Sequence, residues 1–449
     1  MQSFELDKTD LSKLKTAIDG DDQLLTQTLA EYHASEIAIL FDNINSEDKQ
    51  RIINLLEVEK ASEVIAEMSE QAHPEELLIQ LHPEKRTEIV EELDYDDATD
   101  IISQLDEEDQ QEILEDLSAD DAESIRNLLS YDEETAGGLM NTQMIKVNIN
   151  FTKKDAIDEI IRQSEEIEEF YTVFVIDDDE TFKGIISLKD IIKAKGNPKI
   201  TAMVKPDAVY VKAETDQEEV AKLLSQYNLT SIPVVNDELK LLGRVTFDDV
   251  IDVLEDENTE DILKISGVSE DEELAGNWVD AVKSRLPWLI INLGTAFLAS
   301  AVVRYYEDTL AHLAILSAYM TIIAGMGGNA ATQALAVTVR RISLFDLTDQ
   351  QAYRTVLKEF TVGMINGAVT GLIVLVFAYF FDANLMLGLV IFMAMTGNLI
   401  IAGFTGAGIP LILKRVGIDP AIASSIIITT FTDVFGFLLL LGLASKLLL

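Results

Sequence analysis

Residues 420–445 read PAIASSIIITTFTDVFGFLLLLGLAS, and Asp433 is the single charged residue in this run. A helix needs about 20 apolar residues to cross the hydrocarbon core of a membrane, so the run predicts a membrane span with a carboxylate near its middle. Ionisable groups at that depth are costly and usually mark the path of an ion or a proton. The neighbouring Thr429, Thr430 and Thr432 add hydroxyl groups. The alternative is a protonated, structural Asp433 that is hydrogen-bonded to a neighbouring helix.

Four further uncharged runs precede this segment, so the sequence predicts five membrane spans. The runs are Leu286–Val303, Leu313–Val339, Phe360–Phe381 and Ala383–Leu413. Most basic residues that flank the spans collect on one side, which the positive-inside rule makes cytoplasmic, whereas the loops on the other side hold Arg304 with Glu307 and Asp308. The basic residues on the cytoplasmic side are Lys283, Arg285, Arg340, Arg341, Arg354, Lys358, Lys414 and Arg415. We therefore expect a multi-pass protein of the cell (inner) membrane, with cytoplasmic N-terminal domains, an extracytoplasmic C-terminus and no signal peptide.

The second predicted span contains the stretch GMGGNAATQ at residues 325–333. Three glycines in four positions weaken a helix, so we expect a break at Gly325–Gly328 that lets the backbone approach a neighbour or exposes carbonyl groups to a water-filled cavity. Asn329 and Gln333 lie one helical turn apart and can present polar groups to the same cavity. Packing of small residues against another helix is the alternative. The fourth span repeats the pattern around Gly397 and Asn398.

The charge of the chain limits its partners. Of 34 basic and 79 acidic residues, eight of each lie after Arg285 and cancel, so residues 1–285 carry the whole net charge of −45. Such a surface repels phosphate backbones, which excludes nucleic acid as a partner. The chain has no cysteine and only four scattered histidines. Any metal partner should therefore be a hard divalent cation that prefers oxygen ligands, and a two-fold homodimer would bring two Asp433 carboxylates to one axis, where they match a hydrated Mg²⁺.

Residues from about 35 to 130 show a repeat of about twelve residues. Apolar side chains recur at Ile44, Leu56, Met68, Leu81, Leu93, Leu105, Leu117 and Leu129. Acidic residues at the start of each unit favour the helix dipole and cap the first amides. A helix of about ten residues cannot bury its apolar face alone, so the units should stack as an all-α superhelical solenoid. The solenoid is either a scaffold or a collector of cations.

Residues 138–256 then alternate strands with helices, and this pattern is duplicated. The motif at Gly184–Asp190 recurs 59 residues later at Gly243–Asp249. The duplicated unit resembles a tandem CBS module of α/β fold. In that family the matching positions can hold the ribose of an adenine nucleotide, which points to Ser187, Asp190, Thr246 and Asp249. Many CBS pairs bind no nucleotide, so ATP is a possible cofactor only.

The segment from Phe247 to about Asn277 has a helical pattern and is strongly acidic. It is either a solvated linker or a continuous acidic helix. In such a helix, like charges at helical spacing repel one another unless counter-ions are present. Divalent cations would relieve that repulsion.

The order of these parts resembles the MgtE-type magnesium channels. The motif at Thr135–Met140, the stretch Gly327–Asn329, the stretch Gly417–Pro420 and the pair Thr432–Asp433 match signatures of that family. The resemblance implies a multidomain protein with a helical N domain at residues 1–134, tandem CBS domains at 135–246, a linking or plug helix at 247–277 and a five-span domain at 278–449.

The resemblance also implies a homodimeric, Mg²⁺-selective channel that closes when cytoplasmic Mg²⁺ occupies acidic sites between domains. The pore residues it implies are Asp433, Thr429, Gly325, Gly328 and Asn329. The regulatory ligands it implies are Asp94, Asp96, Asp97, Asp100, Gly137, Asp216, Glu218, Asp249, Asp252, Glu257, Glu260, Asp261 and Asp419.

Three positions depart from the family pattern. Asn228 replaces an acidic sensor residue, Thr332 replaces an asparagine, and Ser425–Ile426 replaces an Asn-Pro pair. Two other functions remain open, namely a divalent cation transporter coupled to H⁺ or Na⁺ and a non-conducting membrane sensor of Mg²⁺ or nucleotide. The sequence contains no P-loop, serine–histidine pair or histidine cluster, so we do not expect an enzyme.

Overall fold

A computed structural model describes residues 8–69, 72–165, 167, 170–269, 278–345, 347–422 and 425–449. The contacts within the chain define two compact units, Met1–Glu255 and Asp256–Leu449.

The described N-terminal part is a stack of ten short helices. Side chains cap several of them: Asn45 accepts a hydrogen bond from the Asp48 amide (2.9 Å), and Asp106 accepts one from the Asp109 amide (3.0 Å). One continuous apolar core runs through the stack, which confirms the predicted solenoid. Its described helices begin at Lys8, before the twelve-residue repeat that starts near residue 35. The helices are α1 Lys8–Ile18, α2 Asp22–Leu29, α3 Ala34–Phe41, α4 Ser46–Leu55, α5 Val58–Ala66, α6 Pro74–Gln80, α7 Pro83–Glu92, α8 Tyr95–Ser103, α9 Glu107–Asp116 and α10 Ala119–Leu128.

Two three-stranded sheets follow, and they are copies of each other. In each sheet the first strand pairs parallel with the second, and the second pairs antiparallel with the third. The pair Val175–Gly184 in one sheet corresponds to the pair Val234–Gly243 in the other, 59 residues later. The duplication predicted from the sequence is therefore confirmed. The elements are β1 Lys146–Asn148, α11 Lys153–Gln163, β2 Thr172–Ile176, β3 Phe182–Ser187, α12 Leu188–Lys193, β4 Val211–Lys212, α13 Gln217–Tyr227, β5 Ser231–Val235 and β6 Leu241–Thr246.

The acidic segment forms one helix, α14 Phe247–Ser266. It ends at Gly267, whose φ of +75° is a left-handed conformation that favours glycine. The prediction of helix to Asn277 is therefore wrong at 267–269, and residues 270–277 lie outside the described residues. The division between the two compact units falls within α14.

Among the described residues, five helices are long and apolar enough to cross a membrane, as predicted. A short helix between the first two of them was not predicted. Helix α19 packs against α17, α18 and α20. The helices are α15 Trp278–Tyr305, α16 Glu307–His312, α17 Leu316–Leu344, α18 Asp349–Asp382, α19 Leu385–Arg415 and α20 Ser425–Leu447.

The predicted break at Gly325–Gly328 is wrong, because α17 runs through these glycines without interruption. Neighbouring helices support the backbone there. A methyl group on Gly327 would lie 2.2 Å from Asn398 Nδ2, and one on Gly328 would lie 3.2 Å from Thr429 Cγ2. The alternative interpretation, close packing through small residues, therefore describes Gly327 and Gly328.

Candidate functional site

Three aspartates at the start of α8 form a compact acidic cluster. One carboxylate oxygen each from Asp94, Asp96 and Asp97 lies within 4.8 Å of the other two. The turn that begins α8 brings these neighbouring residues together, with Asp94 in the N-cap position. Carboxylate oxygens are the ligands that Mg²⁺ and Ca²⁺ prefer, so the donor set fits a hard divalent cation.

The surroundings of this cluster disfavour its negative charge. Burial, and then the charges of Asp97, Asp249 and Asp94, raise the pKa of Asp96 well above its usual value. Burial, followed by the charges of Asp94 and Asp249, raises the pKa of Asp97 to about 7. A bound cation would remove the repulsion that raises both values.

Asp249 joins this cluster from the first turn of α14. The Thr246 hydroxyl donates a hydrogen bond to Asp249 Oδ2 at 2.6 Å, and the Thr246 amide donates another at 3.2 Å. Burial raises the pKa of Asp249, while the hydrogen bond from Thr246 opposes that rise. The structure therefore brings together Asp94, Asp96, Asp97 and Asp249, all four predicted as regulatory ligands, and the charge of Asp100 also acts on Asp97.

Two residues near the cluster were missed by the sequence analysis. The Asn141 side chain, only 2 % exposed, donates a hydrogen bond from Nδ2 to Asp96 Oδ1 at 3.1 Å. Glu67 is close enough that its charge raises the pKa of Asp97 and of Asp252, after the larger effect of burial on both. Asn141 directly follows the motif at 135–140. That motif alone does not show that the Asn141 side chain contacts Asp96.

Asp216 and Gly137 lie in paired segments of the same unit. Asp216 caps α13 by accepting a hydrogen bond from the Glu218 amide at 2.9 Å. Thr135 forms a β-bridge with Asp216, and the Gly137 amide donates to the Ala213 carbonyl at 2.8 Å. Asn228 ends α13 in a left-handed conformation with φ of 50°, which asparagine tolerates better than most residues.

A second acidic group lies near the end of α14, where Glu257, Glu260 and Asp261 follow helical spacing. Lys264 forms ion pairs with Glu260 and with Asp419, the latter at 3.1 Å. The Ser343 hydroxyl donates to Asp261 at 3.2 Å. Burial raises the pKa of Asp261, the Ser343 hydrogen bond opposes that rise, and the charge of Asp419 adds to it. The described structure thus places a lysine ammonium between two predicted metal ligands.

The predicted nucleotide residues occupy equivalent positions in the two sheet copies. Ser187 Oγ accepts a hydrogen bond from the Asp190 amide at 3.2 Å, and Asp190 forms an ion pair with Lys205 at 3.4 Å. Thr246 holds Asp249 in the other copy. Asp249 therefore belongs both to the predicted nucleotide set and to the acidic cluster.

The predicted pore residues lie on α17 and α20. Asp433 is partly exposed on α20, and Gly325 and Asn329 are exposed on α17. Gly328 faces Thr429 of α20. Thr332 donates its hydroxyl to the Gly328 carbonyl at 3.1 Å, and Ser425 is the first residue of α20. The asparagine that the family pattern leads one to expect at 332 is thus replaced by a side chain bonded to its own helix.

Comparisons with known proteins cover almost all of the chain. Residues 320–443 match a family described as divalent cation transporter (MgtE), residues 32–134 match the MgtE intracellular N domain, and residues 136–197 and 200–256 match the CBS domain. The chain is 32% identical over 438 residues to the magnesium transporter MgtE of Thermus thermophilus, which covers 96% of each protein. This chain belongs to the MgtE family. It is also 36% identical over 315 residues to the magnesium transporter MgtE of Enterococcus faecalis, covering 70% of this chain and 69% of that one.

A solved structure supports the architecture of the N-terminal unit. It is the cytosolic domain of the Mg²⁺ channel MgtE in complex with ATP, with 33% identity and a TM-score of 0.52, and the match covers 54% of this chain and 99% of that one. Family membership confirms the predicted order of a helical domain, a CBS pair and membrane helices. It also confirms the prediction of a transport protein rather than an enzyme.

Proposed function

We propose that this member of the MgtE family is a homodimeric channel that admits Mg²⁺ and closes when cytoplasmic Mg²⁺ rises. The observation that carries the proposal is the cluster of Asp94, Asp96, Asp97 and Asp249, whose carboxyl groups are crowded and partly withdrawn from water. The charge asymmetry supports cytoplasmic N-terminal domains and an extracytoplasmic C-terminus.

The pore part of the proposal rests on α17 and α20. Asp433 is the one ionisable residue within α20 before Lys446, and it lies on the helix whose Thr429 contacts Gly328 of α17. Two such carboxylates in a dimer match the charge of one divalent cation. Because Mg²⁺ loses its water reluctantly, carboxylates spaced for a hydrated ion select it over ions that are bound dehydrated.

The gating part of the proposal rests on α14. Two like charges less than 5 Å apart repel by roughly 3 kcal/mol at an effective dielectric constant of 20, so the ionised cluster tends to separate α8 from the start of α14. When bound, Mg²⁺ supplies the positive charge that the cluster lacks. Asp249, held by Thr246, then keeps the start of α14 at α8. Closure by Mg²⁺ requires that the closed state bind the ion more tightly than the open state does.

Near the other end of α14, Lys264 already bridges Glu260 and Asp419. We propose that Glu257, Glu260, Asp261 and Asp419 form a second regulatory group. Within this group the ammonium of Lys264 neutralises part of the negative charge of Glu260 and Asp419, even when no metal is bound. Asp216, Glu218 and Gly137 belong to the other compact unit, and we propose them separately as regulatory residues of the CBS pair.

The CBS pair supports a second proposal, that of adenine nucleotide binding. Ser187 and Thr246 keep the hydroxyl groups at equivalent positions of the two copies, and a relative with 33% identity was solved with ATP. Because Asp249 belongs both to the acidic cluster and to the proposed nucleotide residues, we expect ATP to change the concentration of Mg²⁺ that closes the channel. Titration of Mg²⁺ inhibition with and without ATP tests this, and identical inhibition curves would contradict it.

The first experiment is Mg²⁺ flux into liposomes that contain the wild-type protein or the variant Asp433→Ala, at two concentrations of Mg²⁺ on the cytoplasmic face. We expect flux that needs Asp433 and falls at the higher concentration. Flux that depends on an H⁺ or Na⁺ gradient would identify a coupled transporter instead. Folded wild-type protein without any flux would favour a non-conducting sensor.

A further inference from the structure

The side-chain amide of Asn398 lies in the interior of the unit Asp256–Leu449, and it belongs neither to the proposed pore residues nor to the acidic groups. Asn398 belongs to α19 and is 0 % exposed. Its Nδ2 donates a hydrogen bond to the carbonyl of Ile323 in α17 at 3.1 Å. Its Oδ1 is buried and has no hydrogen-bond partner among the residues that the structure describes.

Two glycines on different helices make room for this amide. A methyl group on Gly327 of α17 would lie 2.2 Å from Asn398 Nδ2. A methyl group on Gly436 of α20 would lie 2.8 Å from Nδ2, 3.0 Å from Cγ and 3.1 Å from Oδ1. The amide therefore packs directly against the backbones of α17 and α20. A side chain at Gly327 or at Gly436 would displace it.

This contact lies beside the proposed pore residues on both helices. Gly327 adjoins Gly328, which faces Thr429, and a methyl group on Gly327 would also lie 3.1 Å from Cβ of the buried Thr432. Gly436 follows Asp433 by three residues and so lies about one turn along α20. The position of the amide thus determines how far α17 can approach α20 at the level of Asp433.

Stability alone does not account for an asparagine here. A hydrogen bond between membrane helices is only modestly stabilising, and a buried oxygen without a partner has an opposing cost of similar size. A small apolar residue at 398 would also pack against two glycines. What the amide adds is a fixed separation of α17 and α20. Its hydrogen bond to Ile323 holds α17 in a single position, and its other side lies against Gly436 of α20.

We propose that Asn398 is a positioning residue that sets the separation of α17 and α20, and thereby the ability of the pore to discriminate Mg²⁺ from the larger Ca²⁺. This inference rests on the proposed function, because it requires conduction past Asp433. Asn398 itself does not contact the ion.

Two variants test the proposal together. Asn398→Ala removes the amide without adding bulk, and Asn398→Leu keeps the branched shape of the side chain but removes the Nδ2 donor. Thr405→Val is the matched control, because Thr405 is a nearly buried polar residue of the same helix whose hydroxyl bonds to Ile401 of that helix. The full-length proteins are compared by thermal unfolding in detergent and by liposome flux of Mg²⁺ and Ca²⁺.

We expect both Asn398 variants to remain folded and to lose about tenfold in Mg²⁺-over-Ca²⁺ flux ratio, equivalent to about 1.4 kcal/mol of discrimination. Thr405→Val should keep the wild-type ratio. Variants that keep the wild-type ratio, whether or not their melting temperature falls, would overturn the inference, as would failure of both variants to fold. Asp433→Ala in the same series separates the two proposals: wild-type flux in that variant refutes the pore, whereas lost flux with unchanged selectivity in the Asn398 variants refutes only the role of Asn398.

Discussion

The carboxyl group of Asp97 is held in surroundings that favour its protonated form. Its pKa is raised from 3.8 to about 7 by burial first, and then by the charges of Asp94 and Asp249. Between these two values the folded protein holds a proton that the unfolded chain has released. The stability that this group contributes is therefore lost as the pH rises through about 7.

We predict that the melting temperature of the Mg²⁺-free protein rises when the pH is lowered from about 8 to about 6. The variant Asp97→Asn should show a smaller pH dependence, because it has no proton to gain. Saturating Mg²⁺ should reduce the dependence in the wild type, since the cation neutralises the same cluster. Scanning calorimetry at two pH values checks this, and an equal pH dependence in the variant and the wild type would contradict it.

The side chain of Asn141 links the start of the CBS pair to the acidic cluster of α8. Its Nδ2 is within hydrogen-bonding distance of Asp96 Oδ1, and its backbone pairs with Arg244 in both directions (2.8 and 2.9 Å). It therefore positions an aspartate of the solenoid from the start of the CBS pair. The variant Asn141→Ala should weaken Mg²⁺ inhibition of flux about threefold to tenfold, as expected for loss of one hydrogen bond with a net contribution of roughly 0.5–1.5 kcal/mol. Asn127→Ala, a change at an exposed position of α10, is the control and should leave inhibition unchanged.

At the scale of elements, glycines spaced every four residues let α18 approach α19 closely. A methyl group on Gly363 would lie 2.2 Å from the Leu399 carbonyl, and one on Gly367 would lie 2.8 Å from Thr396 Cα. Small residues at this spacing allow the backbones of two membrane helices to touch. The contacts are to backbone atoms, which cannot move aside as a flexible side chain could.

We predict that Gly367→Ala lowers the melting temperature of the purified protein, even though alanine favours helix over glycine by about 1 kcal/mol. Gly294→Ala in α15 is the matched control, because a methyl group there meets no described atom within 4 Å. That variant should be neutral or slightly stabilising. Equal melting temperatures for the two variants would show that the close approach of α18 and α19 contributes little.

Elements were easier to predict than contacts between them. The twelve-residue repeat predicts the solenoid because each short helix must repeat the same apolar contacts, and the duplicated motif predicts the two sheets. The glycines at 325–328 did not show whether α17 breaks or packs, because that depends on Asn398 and Thr429, which are distant in sequence. Likewise, Asn141 and Asp96 are 45 residues apart, and no local pattern links them.

At the scale of the whole molecule, the net charge of −45 is carried by residues 1–285, and part of it is concentrated where α8 meets the start of α14. General charge repulsion and specific metal binding both predict that Mg²⁺ stabilises the protein. They differ in which acidic residues matter, because screening depends on the total charge, whereas a bound cation depends on particular carboxylates.

We therefore predict that Asp249→Asn, Asp252→Asn and Glu257→Gln together leave the channel open at cytoplasmic Mg²⁺ concentrations that close the wild type. The control carries Glu107→Gln, Glu108→Gln and Asp120→Asn, which remove the same charge from exposed positions of the solenoid. If specific carboxylates hold the closed state, liposome flux in the control should still fall as Mg²⁺ rises. If only total charge matters, the two triple variants should respond alike. Mg²⁺ inhibition that survives unchanged in the first variant would contradict gating through α14, because that variant lacks three of the carboxylates that α14 is proposed to contribute.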